Sequence, residues 1–241
     1  ALKVALVLKG KSPESLLDSY NAERHRVGAE VVSMTDKATK VATIHNPVLS
    51  AIRNRALGLL SRLNPLQEAV LSRLTQLEFH CRDSPIVDER WYESHEAEGY
   101  RPHGQELKAG ERVRDYKLEG VNGAPGTTLY KLFVGSEHEL LIFTGASPEA
   151  MEIDELSKVA REVSRYTGLI EPHLIIGTGS ISAGLPEIKS SWVDGELNMH
   201  TDFGAARACL YLVRPDGYIA FRNQPASASD LVEYLSTIFT L

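Results

Sequence analysis

Along the first eighty positions, apolar residues recur in steps of three and four, the spacing of one face of an α-helix. Leu17, Tyr20, Val27, Val31, Met34, Ala38 and Val41 make one such face. Ser12 is placed as its N-cap, Pro13 in the first helical position and Glu14 in the first turn, which predicts a helix over residues 12–41 that stops near Asn46-Pro47. A second helix is expected through Val48, Ile52, Ala56, Leu59, Leu60 and Leu63. Asn64-Pro65 repeats the polar-cap and proline device before a third, through Leu66, Val70, Leu74 and Leu77. Residues 1–8, apolar from the outset and without a cap, read as the back half of a helix that begins upstream.

Past Glu78 the three-four spacing stops. The stretch DERWYESHEAEGYR has no period and many charges, so residues 88–100 are expected to be a linker. Beyond it the period shortens. A strand is expected over residues 138–144, then a helix opened by Ser147-Pro148 and carrying Met151, Leu156, Val159, Val163 and Tyr166. Leu174, Ile175 and Ile176 suit a buried strand, and Arg214-Pro215-Asp216-Gly217 is a turn joining residues 208–213 to 218–222 as a hairpin. A last helix follows over residues 229–241, with Leu231, Tyr234, Leu235 and Ile238 on one face. Strand, helix, strand, hairpin and helix is the order of a thioredoxin-like fold. The expected organisation is α+β overall: a helical segment 1–87, the linker 88–100, and an α/β domain 101–241 long enough to bury its own core.

Composition changes this picture little. With 43% hydrophobic and 24% charged residues, the chain is an ordinary globular one. Residues 1–80 carry 11 basic and 7 acidic side chains, whereas residues 81–241 carry 15 and 25. The basic residues are scattered singly, without the clusters and interleaved aromatics of a nucleic-acid surface, so no nucleic-acid partner is expected. The apolar run from Val4 to Leu8 is too short to span a bilayer, so no membrane partner is expected either. Cys81 and Cys209 match neither a metal nor a redox spacing, which fits a reducing cytoplasm.

Candidate chemistry is sparse. A dinucleotide site needs a glycine-rich strand-to-helix turn. The nearest string, Gly177-Thr-Gly179-Ser-Ile-Ser-Ala-Gly184, has its third glycine two positions late and reads as a flexible loop. Thioredoxin chemistry needs two thiols after the first central strand, where this chain has Thr144-Gly145-Ala146-Ser147. His95 and His103 near Glu96 and Glu98 match no metal-ligand spacing. His80, Asp83 and Ser84 stand too close along one extended segment to converge as a hydrolase relay. Glu152, Asp154 and Glu155 read as acids of a first helical turn, and Asp202 with Arg207 as a local ion pair. No catalytic, cofactor-binding or metal-binding residue is therefore assigned.

Four longer strings carry a resemblance. ALKVALVLKGKSPESLLDSYNAERHR, at the very start, resembles a stretch deep inside the single-component FAD-dependent aromatic hydroxylases, the family of para-hydroxybenzoate and phenol hydroxylases. EFHCRDSPIV resembles the segment that closes their flavoprotein body. GQELKAGERVRDYKLEGVNGAPGTTLYKLFVGSEHELLIFTG and ACLYLVRPDGYIAFR resemble the start and the closing hairpin of the thioredoxin-like domain that phenol-hydroxylase relatives append. The family's Gly-Asp flavin signature is missing. The resemblance implies the C-terminal portion of an FAD- and NAD(P)H-dependent monooxygenase that hydroxylates a phenol or another aromatic ring. It further implies that the flavin contacts lie upstream and that this chain alone holds no cofactor. Its partners would be the N-terminal FAD-binding portion of the same protein and further copies of itself. The alternative is a catalytically silent thioredoxin-fold module for interaction or dimerisation.

Overall fold

The N-terminal apolar repeats fold into helices, one of which starts at a side-chain cap. In the computed structural model the chain divides into two units, Ala1–Ser19 with Cys81–Leu241, and Tyr20–His80. The structure describes residues 2–60, 80–92, 106–145, 150–177, 185, 188 and 190–240, without the side chains of residues 26, 27, 30, 56, 57, 59, 60 and 150. The third expected helix, the Ser147-Pro148 opening, the histidines at 95 and 103 with Glu96 and Glu98, and the glycines at 179 and 184 lie outside the described residues.

Helix α1 spans Leu2–Leu8 and α2 spans Leu16–Ala42. Ser12 is not the cap of α2. It is buried four residues earlier, and three successive turns carry the chain into the helix, beginning with the Leu16 N–H on the Pro13 carbonyl at 3.0 Å. Helix α3, Pro47–Leu60, starts as its sequence dictates: Asn46 Oδ1 accepts the N–H of Val48 at 3.0 Å and of Leu49 at 3.2 Å, with Pro47 in the position that needs no donor. Arg53 reaches back to the last carbonyls of α2, donating to Ala42 O at 2.7 Å, where a cation suits the helix dipole. The expected buried face of α2 is open among the described residues, with Tyr20, Val31, Met34 and Val41 exposed.

The other unit is an eight-stranded sheet with helices on it. In chain order its elements are β1 (Asp88–Trp91), β2 (Lys117–Gly120), β3 (Thr127–Thr128), α4 (Leu129–Leu132), β4 (His138–Phe143), α5 (Ala150–Val163), β5 (Ile170–Ile176), β6 (Ser190–Val193), α6 (Asn198–Asp202), β7 (Cys209–Val213), β8 (Ile219–Gln224) and α7 (Ala228–Ile238). The strand order is β1-β8-β7-β4-β5-β6-β2-β3. Strands β4, β5 and β6 run parallel, β7 is antiparallel to β4, and β8 is antiparallel to β7. The central quartet β8-β7-β4-β5, with α5 crossing from β4 to β5 and α7 closing the chain, is a thioredoxin-like core.

Both faces of this sheet are covered, which explains why β4 reads His-Glu-Leu-Leu-Ile-Phe without clean alternation. Leu140 and Ile142 face α5 and α7, packing with Leu156, Val159, Leu231 and Leu235. Leu141 and Phe143 face the opposite layer of Val113, Leu118, Leu129, Met199 and Phe203. Ser227 caps α7, its Oγ accepting the Asp230 N–H at 3.2 Å.

Two expected boundaries differ. Residues 88–91, expected in the linker, form edge strand β1, parallel to β8. An ion pair holds this strand. Arg222, 3% exposed, donates to Glu89 at 3.0 Å and stacks on the Trp91 ring with its guanidinium 4.2 Å from the centroid. Burial works against the Glu89 carboxylate, but Arg222 and the Ala109 N–H outweigh it and hold Glu89 below its ordinary range. The charge-rich string looked like linker because its charges are internal partners. The first nineteen residues belong to the sheet unit rather than to the helical one: Leu6 packs on its core, Leu16 and Ser19 are buried, and the Thr240 N–H donates to Lys11 O at 2.9 Å.

Candidate functional site

The parallel strands β4, β5 and β6 all deliver their chains to one end of the sheet, and in open α/β sheets ligands bind beyond the carboxyl ends of such strands. Thr144 and Gly145 leave β4, Gly177 leaves β5 and Asp194 leaves β6 at this end. Thr144-Gly145 occupies the turn where a thioredoxin carries its dithiol; Ala146 and Ser147 lie outside the described residues. Gly145 has φ +82, and a Cβ there would stand 2.8 Å from the Arg207 backbone. A Cβ on Gly177 would meet Gly145 O at 2.9 Å. Both glycines serve close approach of one backbone to another.

Behind this turn lies a pair that the sequence did not reveal. Asp194 Oδ2 accepts both the backbone N–H of His200 and its ring Nδ1–H, each at 2.8 Å. The carboxylate thereby fixes the ring tautomer and ties the short helix α6 to the end of β6. The His200 ring is fully buried and stands edge-on to Phe143 at 5.1 Å. Beside it the Tyr116 hydroxyl donates to Asp202 Oδ2 at 2.8 Å; burial and then the Asp202 charge push that phenol upward in pKa. In sequence these four residues are 6 and 86 positions apart within their pairs, on elements of no recognisable motif. Asp-x5-His is too common a spacing to have found them.

Several residues singled out in the sequence have other partners than expected. Asp202 and Arg207 do not pair with each other: Asp202 takes the Tyr116 hydroxyl, and Arg207 Nε binds Glu152 at 3.0 Å. Of the three acids near the start of α5, only Glu152 stands in its first turn, and it makes that tertiary pair. Glu155 accepts the Ala228 N–H at 2.9 Å, joining α5 to the start of α7, while Asp154 pairs locally with Lys158 at 3.1 Å. Cys209 lies fully buried in β7, opposite Phe143, and burial raises its thiol well above the ordinary value. A thiol so placed is inert at neutral pH. Among the described residues the strand end is thus a packed, hydrogen-bonded plug of oxygen and nitrogen groups where a redox protein would present sulfur.

No family model matches the chain. The curated relatives do match over its length. It is 25% identical over 245 residues to 6-methylpretetramide 4-monooxygenase of Streptomyces rimosus, covering 100% of this chain and 39% of that protein. It is 24% identical over 228 residues to pentachlorophenol 4-monooxygenase of Sphingobium chlorophenolicum, covering 91% of this chain and 36% of that one. Its homologues are flavin-dependent monooxygenases. The fold agrees: the flavin-dependent monooxygenase PieE, solved in complex with FAD and substrate, superimposes with a TM-score of 0.59 at 19% identity over 98% of this chain and 41% of its own. The chain therefore spans about two fifths of the length of the relatives it matches. No helix among the described residues is long and apolar enough to cross a membrane.

Proposed function

We propose that this chain is the C-terminal portion of an FAD- and NAD(P)H-dependent monooxygenase acting on a phenolic or related aromatic ring, and that its own share is structural. The observation carrying this reading is that both curated relatives, one named for 6-methylpretetramide and one for pentachlorophenol, match nearly the whole chain with little more than a third of their length. Flavin, when bound in the parent enzyme, supplies the oxygen-transfer chemistry. The two strand-end glycines among the described residues, Gly145 and Gly177, do not fit a pyrophosphate cradle: their Cβ space is filled by protein backbone at 2.8 and 2.9 Å. This supports placing the flavin contacts in an upstream portion. The exposed apolar residues Val31, Val32, Met34 and Ile52 of the helical unit support a covering partner, either that portion or a second copy.

The reading is tested by visible spectroscopy and coenzyme consumption. The product of the full reading frame should carry flavin absorbance and oxidise NADH or NADPH faster when a phenol is added. The 241-residue chain alone should show neither. Stoichiometric flavin on this chain by itself, or a reading frame with nothing upstream, overturns the proposal.

A further inference from the structure

Away from the strand-end plug, the opposite end of the same parallel strands carries a hydrogen-bonded chain of different character. Glu139 is on β4, His173 on β5 and Ser190 on β6, and His173 and Ser190 are direct register partners. His173 Nε2 is 2.8 Å from Glu139 Oε2, and Nδ1 is 2.6 Å from Ser190 Oγ. Trp192 Nε1 donates to the same Ser190 oxygen at 2.7 Å.

For a carboxylate at Glu139 and a neutral His173 ring, the donor and acceptor inventory allows one arrangement of protons along this chain. An indole N–H can only donate, so it fills one lone pair of Ser190 Oγ. An ionised Glu139 can only accept, so His173 Nε2 bears the hydrogen. With the ring neutral, Nδ1 presents a lone pair and the Ser190 hydroxyl donates into it. A serine hydroxyl on an imidazole whose far nitrogen is held by a carboxylate is the proton path of an activated nucleophile, here with the two ring nitrogens exchanged relative to the serine-protease order. Burial is graded in the same sense: Glu139 is 3% and His173 4% exposed, whereas Ser190 is half-buried. Base and orienting acid are sealed, and Ser190 is the least buried of the three residues.

We propose that Ser190 is a reactive serine that accepts an acyl group from carboxylic esters, with His173 as its base and Glu139 as the positioning residue. Ser190 Oγ bonds to the acyl carbon and the ester C–O bond breaks. The hydroxyl proton passes to His173 Nδ1 and on to the departing oxygen, releasing the alcohol. Water, deprotonated by the same nitrogen, then attacks the acyl carbon, frees the carboxylic acid and returns the Ser190 hydroxyl. This activity needs neither flavin nor an upstream portion, so it stands or falls apart from the proposed parent reaction.

The experiment uses the 241-residue chain with a fluorophosphonate probe, in which the serine oxygen displaces fluoride from phosphorus and the proton leaves with it. Expected are one label per chain, located on Ser190 by peptide mass spectrometry, and no label in Ser190→Ala. His173→Gln should slow labelling by about 100-fold. In Glu139→Gln the labelling rate should fall less and its pH profile should shift, a change that a packing role alone would not produce. Wild-type chain that stays unlabelled under conditions that saturate a serine esterase overturns the proposal, whatever the variants do. So does a label on another residue, or an unchanged rate in a folded His173→Gln.

Discussion

Acidification from about pH 7.5 to about pH 4.5 should cost the sheet unit about 2.5 kcal/mol through one side chain, His138. This residue opens β4, is 7% exposed, and lies edge-on against the Phe239 ring at 5.2 Å. Burial, then the nearby Arg214 charge, lowers its pKa from 6.5 to about 4. Because the folded value is the depressed one, the unfolded chain takes up a proton first as pH falls. The stability that neutral His138 supplies is whole above 6.5 and is lost progressively as pH falls toward 4. Each pH unit between those values is worth about 1.4 kcal/mol, which gives the figure stated. Both tryptophans, Trp91 and Trp192, belong to the sheet unit, so urea unfolding followed by tryptophan fluorescence reports on that unit. His138→Phe keeps a ring against Phe239 and removes the titration, so its stability should fall less steeply over this window, by about one proton's worth of slope. Parallel pH profiles for wild type and variant would refute the reasoning.

Three further outcomes are expected from the same unfolding assay. Glu89→Gln removes the nearer of two carboxylates from the buried Arg222 charge, leaving Glu106 at 3.8 Å, and should destabilise by about 2 kcal/mol, at the low end for such a loss because of that second partner and because the Glu89 side chain is 36% exposed; an unchanged urea midpoint would show that the β1 ion pair does not hold the edge strand. Ser227→Ala removes the α7 cap and should cost about 1 kcal/mol, with Ser227→Gly costing only a few tenths. Gly145→Ala forces a Cβ into a left-handed φ of +82 and against the Arg207 backbone at 2.8 Å, so a loss of about 2 kcal/mol is expected; a variant as stable as wild type would mean that this turn readily rearranges.

Much of the fold was legible in the chain. The three-four spacing located α2 and α3, and Asn46-Pro47 marked the start of α3 to the residue, because a cap and its proline act over a single turn. The closing hairpin was legible for the same reason, its Pro-Asp-Gly turn imposing a bend independent of context. Short strands were not. β2, β3 and β6 hold two to four residues each, too few to show a period, and they exist because neighbouring strands offer unpaired edges. β1 was concealed by its charges, which read as solvated until Arg222 supplied a buried partner 133 residues away.

The sequence by itself determined that no dithiol stands after β4, since residue identity decides whether sulfur is there, and it determined the order of elements that makes a thioredoxin-like core. Tertiary structure alone decided the polar groupings: Asp194 with His200, Tyr116 with Asp202, and Glu139 with His173 and Ser190. Most of these partners come from separate elements, with 17 to 86 positions between them in all pairs but the first. Hydrogen bonds act over about 3 Å of space, whereas sequence periodicity reports only on neighbours within a turn or a strand, so side chains that meet through a sheet leave no pattern along the chain.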